Sequence, residues 1–282
     1  MGYHKAFVIF IDILGTKERE NDFVEMYKIN TIFHEQLEQE QQMDAYHPHV
    51  VYERTVHTFS DCAYIIYDFK EGTEEYLKDI YKLMAIACYN TEKLCFKFLE
   101  EGFVFRGGMS FDDVYYEKNR SLLFGPAVNT AYLLEDKVAK YPRIVLDKKI
   151  AKELFSYLND VYGFEKDNGT ILKIDKDNNY FLHYLNSYEL GMKQPLDIDF
   201  RDNTYELCKK EIEKAKVNIK LTEEQKEGII AKYDWLYDYV TVSQFKGLRY
   251  TDMNIEDADF MKQLAIEEME MVNKFKQGRG LL

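Results

Sequence analysis

The stretch Lys5-Ala6-Phe7-Val8-Ile9-Phe10-Ile11-Asp12-Ile13-Leu14-Gly15 decides the fold. From Ala6 to Ile11 both alternating sets of side chains are apolar, with aromatic and β-branched residues throughout, which is the composition of a strand covered on both faces. A carboxylate, Asp12, stands where that strand ends, and Gly15 permits the turn that follows. Such a strand needs neighbours in its sheet and helices over it, and the next residues supply them. Phe23, Met26, Ile29, Phe33 and Leu37 recur at helical spacing over Asp22 to Gln42, with Asp22 and Glu25 placed as a capping box. His49 to His57 and Cys62 to Asp68 read as a hairpin turning at Thr58-Phe59-Ser60-Asp61. A second helix fits Thr73 to Leu99, strands fit Phe103 to Ser110 and Ser121 to Phe124, and Gly125-Pro126 opens a helix running to about Ala139. Tyr141 to Leu146 is a further strand and Lys148 opens a short helix. The order βαββαββαβ over residues 5 to 147 describes an α+β sandwich with a mixed or antiparallel sheet.

Glycines are unevenly spread. Gly72 is isolated between Thr16 and Glu101, whereas Gly102, Gly107, Gly108 and Gly125 crowd the next stretch, where close backbone approach is expected. Residues 164 to 185 read as an added hairpin. Beyond Pro195 the chain is helical and charged: Thr222-Glu223-Glu224-Gln225 is a capping box for a helix containing Trp235, and Ile255 to Phe275 is amphipathic. This divides the chain into residues 1–160, bearing the chemistry, and 161–282, an added hairpin and helical extension packing on the core.

The 282 residues include 37 basic and 50 acidic side chains, a net charge of −13 that excludes nucleic acid as the expected partner. With 46% hydrophobic residues the chain can bury a core. The apolar run at the N-terminus is too short for a signal peptide, and no membrane-spanning stretch is visible, so a cytoplasmic protein is expected. Cys62, Cys88, Cys95 and Cys208 form no C-x-x-C pair and read as free thiols rather than zinc ligands.

Two aspartates combine position and chemistry: Asp12 ends the first strand, and Asp61 lies in the turn of the hairpin beside it. Mg²⁺ is usually held by one or two carboxylates plus substrate phosphates, so the pair is the minimum protein share of a nucleotide-phosphate site. The Ile13-Leu14-Gly15 backbone is placed to add N–H donors for phosphates. An aspartate at a strand end also serves as a turn-former or helix cap, and residue type alone leaves both readings open.

Phe10-x-Asp12-Ile13-x-Gly15, Phe59-Ser60-Asp61 and Gly125-Pro126-Ala127-Val128-Asn129-Thr130-Ala131, in that order, resemble the class III nucleotidyl cyclases. Arg106-Gly107-Gly108, Phe124-Gly125-Pro126-Ala127, Tyr132-Leu133-Leu134-Glu135 and Tyr141-Pro142-Arg143-Ile144-Val145-Leu146-Asp147 look most like the bacterial Pycsar antiphage pyrimidine cyclases. The resemblance covers residues 5 to 147. It implies a cyclase sandwich with a βαββαβ core and added strands, and two divalent cations, Mn²⁺ or Mg²⁺, held by Asp12, Asp61 and the Ile13 carbonyl. It also implies that Ile13, Leu14, Gly15 and Thr16 receive the triphosphate, and that Asn129 orients the sugar. Two subunits would pair head to tail, with the metals on one chain and the Asn129 helix on the other. The product would be a cyclic nucleotide read by a separate effector protein.

The pattern breaks at Leu133, where the resemblance leads one to expect an arginine. Arg106, Lys140 and Arg143 are the candidate substitutes, Arg143 preferred. The positions that would read a purine align with His57 and Leu122, which repeat neither purine pairing; His57 is placed to contact a pyrimidine carbonyl, and Phe59 or Tyr64 to stack on the ring. The expectation is a UTP cyclase forming cyclic UMP. A CTP cyclase, a nucleotide-binding module without catalysis and a metal-dependent phosphohydrolase are the alternatives.

Overall fold

The computed structural model describes residues 2–16, 21–45, 50–117, 122–162, 171–189 and 198–243. The amphipathic segment Ile255 to Phe275 lies outside them. Among the described residues, no helix is long and apolar enough to cross a membrane.

The strands are β1 (His4–Ile13), β2 (Tyr52–Phe59), β3 (Cys62–Phe69), β4 (Phe105–Glu117), β5 (Leu122–Phe124), β6 (Ile144–Leu146), β7 (Leu172–Ile174) and β8 (Tyr180–Leu182). The helices are α1 (Phe23–Ala45), α2 (Ile80–Glu100), α3 (Pro126–Leu133), α4 (Lys148–Tyr162), α5 (Asn186–Glu189), α6 (Ile198–Val217) and α7 (Glu223–Val242). They form an α+β fold on a sheet of order β2-β3-β1-β4-β6-β8-β7, with β5 paired to β4. All pairings are antiparallel except β4 with β6. β1 is central, as its apolar composition requires: Ala6, Phe7, Val8, Ile9 and Ile11 are fully buried.

The two faces of the sheet are covered unequally. Phe7, Ile9, Ile11 and Ile13 of β1 share one core with Ile29, Phe33 and Leu37 of α1 and Leu83, Cys88 and Phe98 of α2. The same core takes Leu154 of α4, Phe200 of α6 and Leu236 and Tyr239 of α7, so the hairpin β7–β8 and helices α6 and α7 pack as one body with the first half. Ala6, Val8 and Phe10 point the other way, onto Ala127, Val128 and Ala131 of α3. Among the described residues α3 is the helix that covers this second face. Asp12, two residues beyond Phe10, shares it.

Several elements depart from sequence expectation for local reasons. The helix expected from Thr73 begins later: Glu75–Leu77 make a 3₁₀ turn, and Asp79 accepts the Lys82 N–H at 3.0 Å to cap α2. β4 continues well past Ser110, because Lys5 pairs with Asp112 at 2.6 Å and β5 extends the ladder at Tyr115–Glu117. The helix expected as far as Ala139 ends as α3 at Leu133 and widens into a π-helical turn, Leu134–Val138. The close approach expected near the glycines is real: a Cβ on Gly108 would run into the Ala131 carbonyl and come within 2.6 Å of Leu134 Cβ. Thr222 and Gln225 form their capping box, and all four cysteines carry free thiols.

Candidate active site

The register places the site. Phe59 pairs with Cys62, Cys62 with Asp12, and Asp12 with Arg106, which makes one rung across β2, β3, β1 and β4 at the carboxyl end of β1. The neighbouring rung is His57, Tyr64, Phe10 and Gly108. Directly opposed residues point to the same face, so these side chains line the face that α3 covers only in part.

Asp61 joins them from the β2–β3 turn, in which Ser60 adopts a positive φ of 54°. Its carbonyl accepts the Ile13 N–H at 3.1 Å, and its carboxylate accepts the Thr16 hydroxyl. The two aspartates are therefore locked together through the backbone of the strand end. Burial, then the charge of Asp61, pushes the Asp12 carboxyl up to about 6, although Arg106 and Lys232 pull it down. Arg106 Nε lies 3.7 Å from Asp12 Oδ2 but pairs more closely with Glu135, a carboxylate 3% exposed on the π-helical turn. Burial outweighs that partner and raises the Glu135 carboxyl to about 7. Burial and the nearby Asp12, Asp61 and Glu135 raise the Cys62 thiol to about 12, which leaves it protonated and without soft-ligand character.

The donor chemistry fits a hard divalent cation. Two carboxylates crowd one half-buried spot, their nearest cation is shared with a third carboxylate, and the Ile13 carbonyl points into the same turn, where Thr16 Oγ1 is 3.5 Å away. Among the described residues no cluster of three His, Cys, Asp or Glu side chains closes a cage, so phosphates and water would complete the shell.

The site residues expected from sequence fall into three groups. Asp12, Asp61, Thr16, Phe59 and Arg106 are brought to one end of the sheet with His57. His57 is 7% exposed; burial lowers its pKa, and its Nε2 has no hydrogen-bond partner among the described residues. The phosphate-binding backbone narrows: Ile13 N–H is taken by Asp61 and Leu14 N–H donates to the Val104 carbonyl at 2.7 Å, which leaves the amides of Gly15 and Thr16. The second group, Leu122 and Asn129, is solvent-exposed. Leu122 pairs with Glu117, up to about 35 Å along β4 from Arg106 at roughly 3.3 Å per residue. Asn129 is exposed on α3, on the same side as Leu133, 51% exposed one turn later.

Arg143 must be corrected. It is fully enclosed, its guanidinium pairs with Asp175 and Asp177 of the β7–β8 turn and donates to the Val138 carbonyl at 3.3 Å, and it cannot stand in for the arginine absent at Leu133. Lys140 is exposed. Of the three cations considered, Arg106 is the one held at the aspartates. Two residues near the aspartates, Glu135 and Lys232, were not singled out for the site by the sequence. Glu135 left a faint signal, a carboxylate in a helical stretch otherwise expected to pack; Lys232 left none.

No protein-family model matches the chain, and no curated protein matches it. Among solved structures it is similar to the guanylyl cyclase domain of the RhoGC fusion protein from Blastocladiella emersonii, at 14% identity, 65% of this chain, 96% of that one and a TM-score of 0.42. It is also similar to an adenylate/guanylate cyclase/hydrolase from Silicibacter pomeroyi, at 14% identity, 64% and 96% coverage and a TM-score of 0.39. Likeness at this level carries no function across; that has to come from the residues.

Proposed function

We propose that this chain is a metal-dependent nucleotidyl cyclase that converts UTP to cyclic UMP and pyrophosphate. The observation that carries this reading is the convergence of Asp12 and Asp61 at the end of β1, on a sheet face that one helix covers in part. Asn129 and Leu122, at which the cyclase resemblance implies substrate contacts, are both exposed, and Leu122 pairs with Glu117, eleven residues along β4 from Arg106. That exposure fits two chains paired head to tail, each lending the other its α3 surface. Phe59, Leu122, Phe124, Tyr132 and Leu133, all at least 40% exposed, are apolar surface suited to such pairing.

In this reading Asp12 and Asp61 hold the cations, with the Ile13 carbonyl as a further ligand. Bound divalent cations would lower the pKa of the ribose 3′-hydroxyl and neutralise the departing pyrophosphate. Thr16 fixes the Asp61 carboxylate, and the Gly15 and Thr16 amides face the phosphates. Arg106 stabilises negative charge growing on the α-phosphate. His57, whose buried Nε2 has no hydrogen-bond partner among the described residues, is the residue placed to hydrogen-bond a pyrimidine edge, and Phe59 offers a ring to stack on. The substrate choice and a role in antiphage signalling follow the resemblance to the Pycsar cyclases. CTP is the alternative substrate.

A second reading, nucleotide binding without turnover, is favoured by Leu133 in place of an arginine. One assay separates them: the purified chain is incubated with each ribonucleoside triphosphate and Mn²⁺, and products are resolved chromatographically. Cyclic UMP is expected. Metal-dependent binding with no pyrophosphate released supports the binding module, and a linear monophosphate supports a phosphohydrolase. Asp12→Ala and Asp61→Ala are each expected to lower turnover by at least about a hundredfold while leaving the fold intact; retained turnover in either would remove the metal assignment.

A further inference from the structure

α7 carries one lysine toward the site. Lys232 is half-buried and lies one turn before Trp235, on the same side of the helix. That side is firmly docked. The Trp235 indole stacks on Tyr141, with centroids 6.0 Å apart and 4° between planes, and its Nε1 donates to Asp175 at 3.0 Å. Leu236 is fully buried and Tyr239 nearly so. Tyr141 follows closely on the π-helical turn bearing Glu135, so the docking of Trp235 on Tyr141 turns Lys232 toward that turn. There it is in the electrostatic field of Arg106, Asp12 and Glu135.

Lys232 nonetheless forms no ion pair among the described residues, whereas Glu135 is matched by Arg106 and Arg143 by two aspartates. An ammonium that has lost part of its hydration without gaining a carboxylate is costly, and the cost is sustained if an anion arrives from outside. Burial, then Arg106, depresses its pKa, while Asp12 and Glu135 pull the other way. The local charges point to the same anion. Asp12, Asp61 and Glu135 oppose Arg106 and Lys232; divalent cations would engage the two aspartates and Arg106 already has Glu135 beside it, whereas Lys232 has no carboxylate of its own among the described residues.

We propose that Lys232 is a phosphate-binding residue of this site: its ammonium takes a phosphate oxygen of a nucleoside triphosphate whose cations are held by Asp12 and Asp61 of the same chain. α7 thereby completes the site, supplying a positive charge where Leu133 supplies none. The inference rests on the nucleotide reading above.

The test compares the full-length wild type with Lys232→Gln, Lys232→Met and Lys232→Arg, using Mn²⁺-dependent binding of a fluorescent UTP analogue and of inorganic tripolyphosphate, turnover, and urea midpoints. Gln and Met are expected to weaken binding of both probes by about tenfold or more, the value of one charge-assisted contact, at an unchanged midpoint; Arg is expected to restore most of it. Undiminished binding in Gln or Met overturns the inference, as does a lowered midpoint with unchanged affinity, which marks a structural role. If the wild type binds tripolyphosphate and Gln loses it but no triphosphate is cyclised, Lys232 stands and the cyclase reading falls. If the wild type binds neither probe, both fall.

Discussion

Arg143 shows how a single residue type can serve opposite purposes. Its sequence setting suggested a cation for phosphates, yet its guanidinium lies at zero exposure among Asp175, Asp177 and the Val138 carbonyl, with the Tyr141 ring 5.3 Å away. It ties the β7–β8 turn to the loop before β6, and Trp235 binds the same Asp175. Removing one partner of a buried ion pair leaves the other uncompensated, so Arg143→Met is expected to cost about 3–5 kcal/mol of stability in urea unfolding. Asp12→Ala, by contrast, is expected to alter turnover and not the urea midpoint. Equal loss of midpoint in both would undo this division of roles.

At the scale of elements, α3 is positioned by what Gly108 lacks. The helix end passes so close to β4 that a methyl group on Gly108 would push against the Ala131 carbonyl and Leu134. Gly108→Ala is expected to destabilise by about 1–3 kcal/mol, as overpacking does, and to displace the π-helical turn that holds Glu135 against Arg106; a urea midpoint equal to wild type would show that the helix shifts at no cost. The β7–β8 hairpin and α5 are pinned by carboxylates instead. Burial alone would raise the Glu189 carboxyl, but His183 and Lys173 outweigh it and hold it at about 2, against an ordinary 4.5. The Arg143 hydrogen bond holds Asp177 at about 2, against 3.8. Both folded values are depressed, so this stabilisation is complete above the ordinary carboxylate range and is lost as pH falls from about 4.5 toward 2. Urea midpoints measured across that window are expected to fall steeply in the wild type and less steeply in Glu189→Gln.

For the molecule as a whole, the question is how many chains make one site. In the proposed head-to-tail pair the aspartates of one protomer would meet the exposed Asn129 surface of the other. Mixing inactive Asp12→Ala with inactive Asn129→Ala is then expected to restore about a quarter of wild-type turnover, since half of randomly formed dimers are mixed and each has one intact site. No recovery on mixing, with subunit exchange confirmed, would place the whole site within one chain.

The sequence by itself determined the α+β class, the central β1 strand, the hairpin with Asp61 in its turn and the Pro126 helix start. Those signals are local: apolar runs, helical spacing, turn residues and caps act within a few neighbours. It also singled out Asp12 and Asp61, because a carboxylate at the end of a buried strand interrupts an otherwise apolar pattern. Only the tertiary structure decided which cations meet them. Arg106 reaches Asp12 through strand register, Arg143 is drawn away by a turn thirty residues on, and Lys232 arrives on a helix that no local pattern links to β1. Charges act through space rather than along the chain, so the balance at the site became legible once packing had set the distances.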